Sequence, residues 1–162
     1  MIKEQSTHLS VTAVMLQRKS QHIWGTDNWS LLGLLPDVSE QIIHQAESDG
    51  TVHYLTDFVL QLYPLHCDSY YHNLMSGKPQ VYVISQEGSD LKPVPILMTV
   101  DYDEAAAYME TGEQVVNADL PENLCQWLER FVLTHYQPEE PKKRRRQQWH
   151  NGEQKNDSKT RK

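Results

Sequence analysis

His66-Cys67-Asp68, with His72 one and a half turns further on, places four possible ligands within seven residues. Zinc accepts nitrogen, sulfur and oxygen donors, and a thiol beside an imidazole can be held as a thiolate for nucleophilic attack. The spacing matches no named metal signature, and no third group stands in the sequence to orient His66. A polar helix start with Asp68 as its cap accounts for the same residues. His66, Cys67 and His72 are the metal candidates of the chain, and no catalytic residue is assigned.

A second cluster, Asp101, Asp103 and Glu104, could share acid–base work or hold a hard cation. Capping and the favourable field of a helix N-terminus explain it without either. The third group is the run Lys142, Lys143, Arg144, Arg145 and Arg146. Five cations can bind a phosphate backbone with steep salt dependence. Yet residues 1–136 carry six basic and eighteen acidic side chains, a net of −12, against nine and four in residues 137–162. An acidic body repels a polyanion at close range, so this run reads as a solvated tail or as a contact with an acidic partner protein or the body's own acidic face, and nucleic acid is disfavoured.

Other signatures are missing. There is no G-x-S-x-G elbow, no P-loop and no G-x-G-x-x-G, and the seven glycines are scattered. No apolar run approaches the roughly 20 residues that span a bilayer. The start, Met1-Ile2-Lys3-Glu4-Gln5-Ser6, lacks the charged and then apolar regions of a secretory signal. Two cysteines, Cys67 and Cys125, are too few for a disulfide scaffold, and the default compartment is a reducing cytoplasm. Cys125 reads as a small core residue.

The elements that must position these groups follow from periodicity. Leu9 to Leu16 alternates and predicts a strand; Trp24 to Asn28 reads as a turn; Trp29 to Leu35 predicts a second strand closing a hairpin. Val38 to Ser48 has helical spacing. Val52, Tyr54, Phe58, Leu60 and Leu62 recur every second residue, with Thr56 between, predicting a long strand with one buried face. Asp68 to Met75 predicts a helix that Gly77 and Pro79 end. Val81 to Ser85 and Val94 to Val100 predict a strand pair, with Pro93 and Pro95 placing the latter at a sheet edge.

Asp101 and Glu104 have capping-box spacing ahead of a stripe of Tyr102, Ala105, Ala106 and Met109, stopped by Gly112. Gln114 to Asn117 predicts a brief strand. Asp119-Leu120-Pro121-Glu122 then repeats the start signal before Leu124, Trp127, Leu128 and Phe131. Short loops favour antiparallel neighbours. The expectation is therefore an α+β fold, a mostly antiparallel sheet of about five or six strands covered by two or three helices. Residues 1–8 are expected to be a flexible start, 9–136 one domain, and 137–162 a disordered basic tail whose one apolar residue is Trp149.

Several short segments occur in a distinctive order. Trp24 and Trp29 precede Gly33-Leu34-Leu35-Pro36-Asp37, then come Tyr71-His72-Asn73-Leu74 and Pro79-Gln80-Val81-Tyr82-Val83. Thr99-Val100-Asp101-Tyr102-Asp103-Glu104-Ala105-Ala106-Ala107-Tyr108, Pro121, Phe131 and the Lys/Arg-rich patch follow. Over residues 9–146 the chain resembles a small bacterial family of unknown function, commonly encoded beside molybdenum- or tungsten-dependent formate dehydrogenases. That resemblance implies context and no catalytic residues or cofactor. It implies a non-catalytic accessory or adaptor protein in formate dehydrogenase maturation or assembly, whose partner is the catalytic subunit or its electron-transfer partner. The alternatives are a cofactor-handling or metal-dependent enzyme of molybdenum cofactor delivery using His66, Cys67 and His72, and a nucleic-acid-binding regulator acting through the tail.

Overall fold

In a computed structural model, which describes residues 6–36, 46–47, 50–88 and 93–138, the chain is an α+β fold with antiparallel sheets. Strands β1 (His8–Arg18) and β2 (Asn28–Pro36) form the expected hairpin, and β4 (Gly50–Gln61) pairs with the other edge of β1. A two-residue β3 (Ala46–Glu47) completes a sheet of order β2-β1-β4-β3. The helix expected over Val38 to Ser48 lies outside the described residues apart from Ala46 and Glu47, which are strand. The second sheet, β5 (Gln80–Glu87), β6 (Pro93–Thr99) and β7 (Gln114–Asp119), has the order β6-β5-β7. Thus β6, with Pro93 and Pro95, is an edge strand, where a missing donor costs no ladder bond.

The strands fall into two sheets, which meet where β2 packs on β7 and β4 on β6. Leu9, Val11, Ala13 and Met15 of β1 line the shared core with Phe58, Leu60 and Leu62 following β4's bend, and with Val81, Val83 and Met98 of the second sheet. Two helices close it: α1 (Cys67–Met75) through Cys67 and Tyr70, and α3 (Glu122–His135) through Leu124, Leu128, Phe131 and Val132. The Tyr70 and Phe131 rings meet edge to face at 6.1 Å. The helix α2 (Tyr102–Glu110) covers the opposite face of the second sheet, where Ala105 packs with Tyr82 and Ile84. With both faces covered, Val81-Tyr82-Val83-Ile84 is continuously buried rather than alternating.

Two expectations change in detail. Val11 pairs with Phe58 but Ala13 with Leu55, so β4 carries one extra residue near Thr56. Such a bulge swaps the faces beyond it. Val52 and Tyr54, opposite Leu16 and Val14, therefore point away from the face that holds Phe58, Leu60 and Leu62. On α2 the packed residues are Ala105 and Tyr108, whereas Tyr102 and Met109 are half exposed.

The helix ends obey local chemistry. Gly77 and Gly112 follow α1 and α2 at φ 81° and 91°, a region that disfavours side chains. Asp119 does not cap α3; its carboxylate accepts from Gln80 Nε2 at 2.6 Å, and Pro121 opens the helix, its carbonyl accepting from Leu124 and Cys125 N–H. Cys125 lies against the core, as expected. Among the described residues no helix is long and apolar enough to cross a membrane.

Candidate functional site

Pro64 opens a single 3-10 turn, Pro64–His66, that brings β4 into α1. Proline fixes φ there at no cost in hydrogen bonds, and His66 N–H donates to the Tyr63 carbonyl at 3.0 Å. The turn aims the His66 ring at the first residue of a distant element. His66 Nδ1 lies 2.6 Å from Oδ2 of Asp101, the N-cap of α2. Asp101 is 2% exposed. A buried carboxylate must be saturated with donors, and this one is: Ser69 Oγ donates at 2.5 Å, Asp103 N–H at 2.9 Å and Glu104 N–H at 3.3 Å.

The expected capping box is present, in relayed form. Glu104 does not reach the Asp101 N–H itself. That N–H donates to Thr99 Oγ1, whose hydroxyl donates to Glu104 Oε2 at 2.8 Å. Burial by itself raises the Asp101 pKa, but hydrogen bonds from Ser69, His66 and the Glu104 N–H outweigh it and hold the carboxyl below the usual carboxylate range.

Around this pair the side chains are aromatic. Tyr63 and Tyr70 flank the imidazole at ring distances of 5.7 and 6.4 Å. Burial pushes the Tyr70 hydroxyl up to about 12, and it accepts from Tyr63 N–H at 3.1 Å. The His66 ring is partly exposed. With Nδ1 turned to Asp101, Nε2 is left on the far edge of the ring. A cleft of about 430 Å³ adjoins it, walled by Leu65, Asp68, Ser69, Asp103 and Glu104. Such an arrangement orients an imidazole for hydrogen bonding or proton exchange. Among the described residues no hydroxyl or thiol is hydrogen-bonded to Nε2, and Ser69, in the wall of the same cleft, is engaged by Asp101.

The ligands grouped in sequence diverge in space. Cys67 is buried in the core, where desolvation raises its thiol pKa. His72 is on the exposed side of α1, 3.6 Å from Asp68. Asp68 does not cap α1 either; the N-cap is His66, and the Asp68 carboxylate accepts from the Tyr136 hydroxyl at 3.3 Å. Among the described residues no three His, Cys, Asp or Glu side chains come together as metal ligands. The partner of His66 is Asp101, 35 positions away, which the sequence places in a carboxylate cluster at a helix start with nothing to link it to His66.

Next to this site a second cleft, about 640 Å³, lies between the 3-10 turn and the end of α3. It is lined by Pro64, Leu65, Asp68, His135, Tyr136 and Pro138 among others. Leu65 is 95% exposed at its lip, and the Tyr136 ring stacks on Tyr71 at 4.8 Å. The run Lys142 to Arg146 lies beyond the described residues. No curated protein matches this chain, and no solved structure does. A family model described as "Protein of unknown function (DUF3305)" matches residues 10–146, and the chain belongs to that family.

Proposed function

We propose that the protein is a non-catalytic accessory subunit that grips a partner polypeptide, and that the partner is a formate dehydrogenase, through its catalytic subunit or electron-transfer partner, during maturation or assembly. The observation that carries the reading is the cleft between the 3-10 turn and α3. In a lining that also holds Asp68, His135 and Gln137, the residues Leu65, Pro64, Tyr136 and Pro138 offer apolar and aromatic surface of the kind that anchors interfaces. From Pro138 the chain runs through Glu139, Glu140 and Pro141 into Lys142-Lys143-Arg144-Arg145-Arg146. An apolar anchor beside a cationic arm suits an acidic partner, with the arm setting association rate and the anchor residence time. The choice of formate dehydrogenase rests on the family resemblance of residues 9–146.

The test is affinity capture of the tagged full-length chain from its host grown anaerobically with formate. Formate dehydrogenase subunits are expected, enriched in a cofactor-free form. Leu65→Asp should reduce their recovery at least tenfold, and truncation after Pro138 should weaken it without unfolding the body. Recovery of no formate dehydrogenase subunit overturns the choice of partner, and undiminished recovery by Leu65→Asp overturns the cleft.

A second reading is favoured by one observation, the Asp101-held imidazole: a proton-transfer or cofactor-handling role for His66 alone, since Cys67 is buried in the core and His72 stands beside Asp68 on the exposed side of α1. It predicts that His66→Gln abolishes maturation in the cell while leaving capture intact.

A further inference from the structure

The tip of the β1–β2 hairpin, residues 19–27, is a built turn. Asp27 is its hub: Oδ2 accepts from Gln17 Nε2 at 2.6 Å and Oδ1 from Ser20 N–H at 3.2 Å. His22 N–H donates to Ser20 Oγ at 3.2 Å, and Gly25 N–H to the His22 carbonyl at 3.0 Å. A Cβ on Gly25 would lie 1.9 Å from Ser20 Oγ and 2.8 Å from Ser20 Cβ, so a side chain there would displace Ser20 from the turn.

This turn carries the two apolar residues at its apex outward. Ile23 is 94% exposed and Trp24 95%. Large apolar side chains held this far into water are unfavourable by the ordinary hydrophobic measure. Arg18 and Lys19, both exposed, sit at the base of the tip. They are two of the six basic residues in positions 1–136. The segment's one carboxylate, Asp27, is occupied by its two donors. The apex is therefore an aromatic–aliphatic pair above two adjacent cations, on a body of net charge −12 whose repulsion of an anionic surface salt screens beyond about 10 Å.

A surface that is anionic outside and apolar a few ångströms beneath is complementary to this order of groups. Two side chains are too little for a specific protein interface, which takes roughly 800 Å² per partner. A loop that enters a bilayer interface needs no such area, and there tryptophan is favoured and Lys/Arg pair with acidic headgroups. We infer that the 19–27 tip is a membrane-docking loop that inserts Ile23 and Trp24 into the surface of an anionic bilayer, with Arg18 and Lys19 on the headgroup phosphates. The docking is peripheral, and it places the His66 end of the first sheet about 33 Å away, the length of β1.

The test is co-sedimentation of the full-length chain with vesicles of phosphatidylglycerol and phosphatidylcholine, against phosphatidylcholine alone, with bromine-labelled acyl chains as quenchers of tryptophan emission. Binding to the phosphatidylglycerol vesicles only, with quenching, is expected. The Ile23→Ser/Trp24→Ser variant should bind at least about tenfold more weakly, and Trp24→Phe should bind well but lose most quenching. Both side chains are exposed, so circular dichroism should show these variants folded. The tail can also attract anionic lipid, so the chain truncated after Pro138 must still show Trp24-dependent quenching. Absence of binding, full binding by the double variant, or quenching that survives Trp24→Phe overturns the inference. Loss of vesicle binding with intact capture of a partner protein would overturn it while leaving the accessory reading standing.

Discussion

Two aspartates organise opposite ends of the first sheet. At one end Asp101 is buried beneath four donors and aligns His66. At the other, half-buried Asp27 gathers Gln17 and Ser20 and closes the hairpin tip. Both fix a local backbone shape by the same means, a carboxylate that accepts several N–H or O–H groups. They differ in what water can do when the carboxylate is removed. Around Asp27 solvent can replace it, whereas around Asp101 the donors would be stranded, at about 1–3 kcal/mol for a buried group left unsatisfied. One end is thus a rigid joint between α1 and α2, and the other a presentation device for two apolar side chains.

This contrast orders the expected effects. Asp101→Ala, which removes the α2 cap and strands Ser69 and His66, should cost about 3 kcal/mol and lower Tm by about 10 °C in calorimetry. A cost near that of an exposed cap would show that the site is not sealed from water. The same carboxylate gives the protein acid sensitivity. Its folded pKa is depressed, so its stabilisation is complete above the ordinary value near pH 4 and is lost as pH falls through the lower folded value. Urea unfolding across that window should therefore show falling stability in the wild type and a flatter profile in Asp101→Ala. His66→Ala should cost less, about 1 kcal/mol, since its ring is partly solvated and only one of Asp101's donors disappears. Asp27→Ala should be the mildest, roughly 0.5 kcal/mol by chemical denaturation, because water reaches its donors. Near-equal costs for Asp27→Ala and Asp101→Ala would abolish the comparison.

Much of this architecture is legible in the sequence where the deciding forces are local. The hairpin of Leu9 to Leu35 follows from alternation and an intervening turn, and the edge position of Val94 to Val100 from Pro93 and Pro95. The Asp101/Glu104 cap was visible because its geometry spans three residues. What escaped has a non-local origin. The β4 bulge depends on how Ala13 and Val11 meet their partners across the ladder, so the unbroken period from Val52 to Leu62 pointed to one face when there are two. The proximity of His66, Cys67 and His72 in sequence suggested a cluster, but a helix start sends the first toward Asp101, the second into the core and the third to water.

The sequence by itself determined an α+β chain with antiparallel strands, the capped start of α2 and its charge polarity, because alternation, capping and composition act over a few residues. Only the tertiary structure decided that the strands divide into two sheets, that a cap carboxylate is also the partner of a histidine 35 residues earlier, and that Ile23 and Trp24 stand in water. Those outcomes depend on which apolar faces meet and which polar groups are sealed between them, and that is set by packing across distances the local pattern does not encode.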